Sequence, residues 1–353
     1  MSPPLTRINS DERLPAQVDV VVIGGGVIGV SAAYHLAKKG LSVALVEKGH
    51  VGGEQSSRNW GWCRQQGRAR EEIPLAREAL RLWEDMQNDA GVDAGFRRTG
   101  VLFLTKNKDE LASWERWAAV AREMQVHSTV LTPAEVAERM PGNIDEWVGG
   151  LHTPSDGRAE PSMAVPALAT AARKHGVTIH QGCAARGLET TGGRVSAVVT
   201  EKGTIRTQSV LLSGGAWSSL FCRRHSIELP IGLVNATACR TTPAPEITSG
   251  ALGTDFFCIR RRLDGGFTLA LRNRGGRAVA RSVPLRAHLL ADLSASPQRT
   301  EDVVRQVVLR PGHARHQLEL RQAVAVRNRA RARSRTRHVV GHCRAGFADQ
   351  GEP

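Results

Sequence analysis

Three glycines at a fixed spacing are the residues of this chain best suited to a specific chemistry. Gly24, Gly26 and Gly29 directly follow the apolar run Val20–Ile23. In a strand–turn–helix unit the first glycine permits the tight turn, the second lets a pyrophosphate approach the backbone, and the third lets the helix pack on the strand. Glu47 ends the next apolar run, where a carboxylate would accept from a ribose hydroxyl. The pattern predicts a dinucleotide site with an unphosphorylated adenosine ribose.

The elements around these glycines must form a β-α-β unit. A run of β-branched residues over 20–23 is typical of a strand buried on both faces of a parallel sheet. Residues 27–39 predict a helix that offers its free N–H groups and positive dipole end to phosphates. Gly40 would end this helix, and residues 41–46 predict the second parallel strand.

A loop over residues 49–67 follows at the carboxyl end of the predicted parallel strands, where open α/β sheets bind ligands. Its hydroxyl and amide groups could hydrogen-bond phosphate or ring atoms, and its arginines could pair with anions. The polar side chains are Ser56, Ser57, Arg58, Asn59 and Arg64. The alternative is a surface turn stiffened by Trp60 and Trp62.

Periodicity predicts the remaining elements. Helical spacing indicates helices over residues 71–89, 108–124 and 163–175, and a capping box opens another at Thr132. Apolar or alternating runs indicate strands over 96–105, 177–180, 204–212, 256–261 and 266–271, and a hairpin over 184–200. Asp156-Gly157 predicts a turn. Gly214-Gly215 follows a strand and precedes a helix, so the backbone there could also approach a cofactor.

These elements indicate an α/β fold with a Rossmann-type nucleotide-binding domain and a second, mixed α+β substrate domain built on an antiparallel-rich sheet. We expect a polar N-terminal tail over residues 1–17. The nucleotide-binding domain is predicted over 18–95 and 150–225, and the substrate domain over 96–149 and 226–274. An arginine-rich tail over 275–353 is predicted to be disordered or out of frame.

The composition and the pattern of apolar residues limit the expected location of the protein and its expected metal content. The sequence shows no secretory h-region and no apolar run long enough to span a membrane, so we expect a cytoplasmic protein without a membrane partner. The six cysteines lie far apart, without a C-x-x-C pair or a histidine cluster of zinc spacing. We therefore expect reduced thiols and no metal site.

The formal charge of +14 is concentrated at the C-terminal end. Residues 275–353 contain 15 Arg, no Lys and 6 acidic residues, with Phe347 as their one aromatic residue. A nucleic-acid-binding tail is one interpretation, but a tail without interleaved aromatic residues is a poor match to single-strand binders. The alternative hypothesis is a frameshift near Gly275 in a GC-rich gene. Such a chain would lack the end of its nucleotide domain and bind its cofactor weakly.

Several motifs in one order resemble the FAD-dependent oxidoreductases of the D-amino-acid oxidase and sarcosine oxidase type. They are VVIGGGVIGVSAAYHLAKKGLSVALVEK, SSRNWGWCRQQ, LHTPSDGRAEP, the block GVTIHQGCAARGLETTGGRVSAVVTEKGTIRTQSVLLSGGAWS, and GGFTLAL. The resemblance runs from about Val18 to Arg274. We find no match to the family's closing strand and glycine-bearing helix beyond Gly275, so substrate-clamping residues cannot be assigned.

The resemblance implies a role for individual residues. Gly24, Gly26 and Gly29 would hold the pyrophosphate and Glu47 the adenosine ribose of FAD. The flavin side of the loop would face Ser57, Arg58, Asn59 and Gly61. The backbone of Ala185 would meet the adenine, and Gly214 and Trp217 would lie along the cofactor. Arg64 stands where relatives place a basic residue over the flavin ring, and it is the catalytic candidate.

The function that the resemblance implies is oxidation of a C–N bond in a small-molecule amine or amino acid, by hydride transfer to flavin. The FAD is expected to be non-covalent, since Cys63 matches no attachment position of the family. A nicotinamide-dependent dehydrogenase is the alternative that Glu47 permits. The loop at Ser56 and the turn at Gly214 favour the longer, flavin-bearing cofactor.

Overall fold

A computed structural model describes residues 4–280 except 92, 141–145, 236 and 273–275. The helices are α1 (Val27–Lys38), α2 (Gln55–Arg58), α3 (Ile73–Ala90), α4 (Lys108–Glu123), α5 (Pro133–Arg139), α6 (Pro161–Lys174) and α7 (Ser218–Arg224). The strands are β1 (Val20–Ile23), β2 (Val43–Val46), β3 (Trp62–Cys63), β4 (Arg97–Arg98), β5 (Val101–Thr105), β6 (Thr129–Leu131), β7 (Gly149–Thr153), β8 (Gly157–Arg158), β9 (Thr178–His180), β10 (Ala185–Thr191), β11 (Arg194–Thr200), β12 (Gly203–Arg206), β13 (Ser209–Leu212), β14 (Gly232–Asn235), β15 (Ala238–Arg240), β16 (Ala251–Gly253), β17 (Phe257–Arg261), β18 (Phe267–Leu271) and β19 (Gly276–Ala280).

A parallel sheet carries the predicted β-α-β unit. Its order over the described residues is β13-β1-β2-β9, with Val20 opposite both Val43 and Ser209. Every residue of β2 is buried, as the apolar run predicts for a strand covered on both faces. The predicted α/β class and the β-α-β unit are confirmed.

The core of this region forms where α1 and α6 pack beside the sheet. Small side chains such as Ala33, Ala169 and Ala172 are fully buried there and let the helices and strands approach closely. Pro161 opens α6 at a position where a helix needs no donor, and Pro166 lies inside it. Burying this apolar surface fixes α1, and therefore the glycine turn at its start.

A second, largely antiparallel sheet is built from the middle and late parts of the described chain. Its order is β15-β18-β17-β16-β5-β7-β6, and only the β16–β5 pairing is parallel. Phe257 lies opposite Leu271, and Val101 opposite Thr153. This is the predicted antiparallel-rich sheet. The predicted capping box is also present, because Thr132 and Glu135 bond reciprocally at the start of α5.

Two predicted strands are each divided in the structure. Gly100, at φ +72°, separates β4 from β5 inside the predicted strand 96–105, since such a backbone angle cannot continue a strand. The predicted strand 204–212 is broken at Thr207, whose hydroxyl lies within hydrogen-bond distance of the carbonyls of Asp19 and Ser209, at 2.9 and 3.0 Å. The first half pairs antiparallel with β11 and the second parallel with β1.

The polar N-terminal segment packs against the chain rather than standing apart as a tail. The Asp11 carboxylate accepts the Ile179 N–H at 2.7 Å, and Gln17 bridges to Arg206. At the other end, strands β14 and β19 pair antiparallel in a separate unit. The described start of the arginine-rich segment is therefore a strand, not a disordered stretch. Residues 281–353 lie outside the described residues.

A partly exposed carboxylate, Asp89, joins α1, α3 and the end of α6. The Tyr34 hydroxyl donates to Asp89, and His175 lies 3.0 Å from the same carboxylate. These hydrogen bonds, first from Tyr34 and then from His175, lower the pKa of Asp89 to about 2. A carboxyl group with a lowered folded-state pKa contributes stability that is present above its unfolded pKa and is lost as pH falls through the folded one.

We predict that Asp89→Asn lowers the Tm at neutral pH by about 2–4 °C. The difference from the wild type should shrink between about pH 4 and pH 2, because the wild-type carboxylate is protonated there. Asp85→Asn is the control on the same helix, since Asp85 forms an exposed ion pair with Arg81 that contributes little stability. A Tm difference for Asp89→Asn that persists undiminished at pH 2 would contradict the assignment.

Candidate functional site

The glycine turn between β1 and α1 is shaped by close backbone packing. Gly24 has φ +113°, and a Cβ there would lie 2.4 Å from the Ser213 carbonyl oxygen. A Cβ on Gly29 would lie 2.0 Å from the Gly24 carbonyl oxygen, whereas one on Gly26 would meet only the Ser56 hydroxyl, at 3.2 Å. Gly24 and Gly29 are therefore required by the turn itself, and Gly26 leaves space open at the start of α1.

Glu47 closes this turn from the end of β2. One oxygen of its buried carboxylate accepts the Gly25 N–H at 2.7 Å, and the other accepts the Gly49 N–H at 2.8 Å. Each carboxylate oxygen has a second lone pair, so both can still accept from a ligand hydroxyl. The carboxylate is thereby held in one orientation beside the glycine turn.

The start of α1 is suited to binding an anion. The helix has no acidic residue in its first turn, and Gly26 supplies no side-chain cap. The Ser56 hydroxyl, from the loop after β2, accepts the Val27 N–H at 2.9 Å. Unpaired helix N–H groups and the positive dipole end favour a negative group at this position.

The other polar residues of the loop have local partners. The Ser57 hydroxyl donates to the Glu54 carbonyl at 3.2 Å, and Arg58 pairs with the Glu54 carboxylate at 3.4 Å. The Asn59 side chain accepts the Gly61 N–H at 2.7 Å. Residues predicted as direct ligands therefore shape the loop in this structure, and their contact with a cofactor stays a prediction.

Ala185 begins a strand two residues after a backbone contact with Glu47. The Cys183 N–H donates to the Glu47 backbone carbonyl at 2.8 Å, and β10 begins two residues later at Ala185. Ala185 packs against the core cluster that contains Val21 and Val46. The predicted adenine contact is therefore placed next to the predicted ribose contact.

The second glycine turn meets the first. The Gly214 nitrogen lies 3.2 Å from the position of a Cβ on Gly24. A short 3₁₀ helix, Gly215–Trp217, follows and leads into α7. The exposed Trp217 ring lies 5.1 Å from the Lys48 ammonium, next to Glu47. The predicted residues around both turns are thus brought to one end of the parallel sheet.

Gly61 is fixed by a contact between the loop and the antiparallel sheet. It has φ +73°, and a Cβ there would lie 2.5 Å from the Ala159 carbonyl oxygen. Arg260, on β17, donates to the Trp60 carbonyl at 2.7 Å and pairs with Glu160 at 2.7 Å. Both members of this ion pair are buried. The loop is thereby anchored at its centre.

Arg64 is held just beyond that anchor. Its guanidinium donates to the Gln66 carbonyl and lies 5.8 Å from the centre of the Phe103 ring. Burial, and then the neighbouring Arg68, lower the pKa of Arg64 to about 10. The group therefore remains a cation at neutral pH.

An open cavity of about 370 Å³ lies beyond the end of β5, lined by residues that include Lys106 and Arg272. Arg272 forms part of its wall, pairs with Glu110, and also lies 5.8 Å from the centre of the Phe103 ring. The lining residues are Lys106, Asn107, Glu110, Asp255 and Arg272. None of the predicted site residues lines it, but Phe103 contacts both Arg64 and Arg272.

Comparison with known proteins identifies the family of the chain that contains this glycine turn. The family model described as DAO, FAD dependent oxidoreductase, matches residues 19–348. The chain belongs to this family of FAD-dependent oxidoreductases. The match passes Arg274, where we expected the resemblance to end, and continues through most of the arginine-rich segment.

Three similar proteins show how much of this chain, and how much of each relative, the similarity covers. Mouse mitochondrial sarcosine dehydrogenase is 30% identical over 228 residues, 62% of this chain and 25% of the relative. Sarcosine oxidase subunit beta from Arthrobacter sp is 33% identical over 221 residues, 60% of this chain and 55% of the relative. The L-amino acid deaminase from Proteus myxofaciens, solved with anthranilate, gives a TM-score of 0.73 at 32% identity, over 76% of this chain and 62% of that one. The chain thus spans only about a quarter of the sarcosine dehydrogenase.

The residues present fit FAD. The open Gly26 position and the uncapped start of α1 suit a pyrophosphate, and Glu47 suits a ribose diol. The Ser213 hydroxyl, directly before Gly214, is buried without a hydrogen-bond partner among the described residues. A buried hydroxyl of this kind normally finds a partner, and a bound cofactor beside the turn would supply one.

Asp156 and Gln66 were missed as site residues. Asp156 was predicted only as part of a turn, yet it is fully buried, and its carboxylate accepts the backbone N–H groups of Gln65 and Gln66 at 2.8 and 2.9 Å. No local sequence signal could join residues 90 positions apart. The adjacent amides of Gln65 and Gln66 could have marked these positions as polar loop residues, but not as partners of Asp156.

Within the described part of the chain, no helix is both long enough and apolar enough to cross a membrane.

We predict that Gly26→Val folds but fails to retain FAD. The valine side chain would enter the open space at the start of α1, while its backbone angle, φ −77°, is ordinary for any residue. The measurement is FAD content after gel filtration, alongside the Tm of the protein without cofactor.

Two further variants serve as controls for this prediction. Gly187→Val, on β10, places a side chain where only the Arg224 guanidinium approaches, at 3.9 Å, and should retain FAD. Gly24→Ala should unfold the turn, because its Cβ would overlap the Ser213 carbonyl. Normal FAD content in folded Gly26→Val would show that the phosphates bind elsewhere.

Proposed function

We propose that this chain is an FAD-dependent oxidoreductase that oxidises the C–N bond of a small amino acid or secondary amine. The observation that carries the proposal is the contact of the glycine turn with Glu47 and with Ser56 of the loop over residues 49–67, which also contains the half-buried Arg64. Membership in the family supports it, and so do the sarcosine-oxidising and amino-acid-deaminating activities named for the relatives.

The chemistry divides between cofactor and protein. Bound FAD supplies the acceptor for a hydride from the substrate carbon next to nitrogen. The substrate loses that hydride and a proton to become an imine, and water then hydrolyses the imine to a carbonyl compound and an amine. The protein is left to bind, orient and neutralise charge, so no Ser-His-Asp arrangement is required.

Cationic side chains around Phe103 are suited to an acidic substrate. Arg64 and Arg272 lie at equal distances from its ring, and Arg272 also faces the open cavity. A guanidinium binds a carboxylate through two parallel hydrogen bonds. Arg272 is already paired with Glu110, so we propose that Arg64 provides the positive charge that an amino-acid carboxylate or reduced flavin requires.

The cysteine nearest this loop is a poor nucleophile. Burial raises the pKa of the Cys63 thiol to about 12, against the opposing effect of Arg260. A thiol that remains protonated at neutral pH does not readily attack a flavin ring. This supports non-covalent FAD, and precipitation of the protein in acid should release the flavin into solution.

We predict that Arg64→Ala lowers kcat/KM by about tenfold to a hundredfold, because a charged hydrogen bond contributes about 1.5–3 kcal/mol. The assay is oxidation of a panel of sarcosine, glycine and L-amino acids with a dye acceptor. Arg70→Ala is the control, since Arg70 forms an exposed ion pair with Glu123. If Arg64→Ala loses folding stability and activity in parallel, Arg64 is structural.

Composition favours a second candidate, an inactive relative with an altered C-terminal segment. Residues 275–353 carry a net charge of +9 and one aromatic residue, Phe347, so the segment has few of the large apolar residues that build a core. The comparison is between the flavin content of this chain and that of a chain with the reading frame restored after Gly275. Retention of flavin and activity by the present chain would reject the inactive form, whereas recovery only after repair would reject the active one.

A further inference from the structure

The turn over residues 64–66 is held by a buried carboxylate that the amine-oxidising chemistry does not itself require. Asp156 is fully buried between β7 and β8. One of its oxygens accepts the Gln65 N–H at 2.8 Å, and the other accepts the Gln66 N–H at 2.9 Å. The side-chain amide of Gln65 lies 3.4 Å from the first oxygen. Both oxygens are therefore committed to one short segment of the loop.

Burial of Asp156 disfavours a charge on its carboxyl group, and the neighbouring groups oppose that effect. Burial raises the pKa of Asp156, and the N–H groups of Gln65 and Gln66, together with the positive charge of Arg64, oppose that rise. A buried carboxylate is expensive unless hydrogen bonds and nearby charge compensate it. Neutral groups could also accept the two N–H groups of this turn. The use of a buried carboxylate therefore indicates that the backbone of Gln65 and Gln66 must be held in one conformation.

Gln66 is fixed at its backbone and unpaired at its side chain. Its N–H donates to Asp156 and its carbonyl accepts from Arg64. The side chain is fully buried, yet neither the amide oxygen nor the amide nitrogen has a hydrogen-bond partner among the described residues. Leaving a buried polar group unpaired costs about 1–3 kcal/mol. An amide offers one acceptor and two donors, so its natural partner is a ligand with a carbonyl or N–H group.

The same stretch contains another buried donor without a partner. The Trp62 indole nitrogen is unpaired among the described residues, and its ring lies 5.8 Å from the centre of the Phe103 ring. A Cβ on Gly67, directly after Gln66, would lie 3.9 Å from that same phenylalanine. Among the described residues, unpaired buried polar atoms thus occur two positions before and two positions after Arg64 in the sequence.

We propose that Asp156 is a positioning residue that presents the Gln66 side-chain amide as a polar contact for a molecule bound at the flavin end of the site. The contact is a hydrogen-bonding group carried either by the flavin ring or by the amine substrate. This inference rests on the proposed function, because it assigns a ligand to the loop that contains Arg64.

The first experiment uses Gln66→Leu, which keeps the side-chain volume and removes the unpaired amide. The protein without cofactor should become more stable, because an unsatisfied buried group is lost. The holoenzyme should lose affinity by about tenfold to a hundredfold, the loss expected for a hydrogen bond of roughly 1.5–3 kcal/mol to a ligand. A weakened FAD dissociation constant, or a shifted flavin absorption spectrum, assigns the contact to the flavin. Unchanged FAD binding with a raised KM for the best amine of the panel assigns it to the substrate.

The second experiment tests whether Asp156 acts through Gln66. Asp156→Asn keeps the shape but replaces one accepting oxygen with an N–H₂ group that faces a backbone donor. We expect the affinity loss of Gln66→Leu to appear in Asp156→Asn, and the double variant to be no worse than Gln66→Leu alone. Asp11→Asn is the matched control, since Asp11 also accepts a backbone N–H, from Ile179, but far along the chain from this loop.

Each outcome bears on the inference. A Gln66→Leu protein with unchanged FAD affinity, spectrum and KM would overturn it, and this result remains decisive even if Asp156→Asn fails to fold. Additive losses in the double variant would overturn the link between the two residues. A wild-type chain that binds no FAD would defeat the proposed function and this inference with it, whereas normal wild-type binding with unaffected variants defeats only the inference.

Discussion

The buried ion pair between Arg260 and Glu160 is the interaction on which the rest of the site depends. Arg260 belongs to the antiparallel sheet, and its guanidinium reaches the Trp60 carbonyl, the Glu160 carboxylate and the Thr268 hydroxyl. Glu160 in turn precedes α6, the helix that packs against α1. Removing one partner of such a pair costs about 3–5 kcal/mol, because the other charge is left buried and uncompensated. The pair therefore joins the loop over residues 49–67 to the antiparallel sheet and to the start of α6.

The two ends of the site are built by different means. At the nucleotide end, backbone groups dominate: a glycine turn, a helix start and one carboxylate that bonds the turn itself. At the end where we propose that the flavin binds, side chains from distant parts of the chain meet around Phe103. The first arrangement suits any dinucleotide, whereas the second can discriminate among substrates. This difference explains why the glycine motif predicts nucleotide binding, whereas no motif predicts the identity of the substrate.

Local constraints were predictable from the sequence, and long-range ones were not. The roles of Gly24, Gly29 and Glu47 follow from one β-α-β unit, so spacing alone placed them together. The break at Thr207 was missed because its hydroxyl acts through the distant carbonyl of Asp19. Asp156 carried an ordinary turn signal, but its partners lie 90 and 91 residues away. Residue periodicity was thus sufficient to predict the fold class. The contacts around Arg64 and Phe103 could be identified only from the tertiary structure.

The most direct test of the account is a crystal structure of the chain grown with FAD. We expect the pyrophosphate to lie over Gly26 at the start of α1, with the adenosine ribose hydroxyls on the Glu47 carboxylate. Density for FAD elsewhere, or a glycine turn that remains without a phosphate while FAD is bound, would contradict the central claim that this turn is the cofactor site.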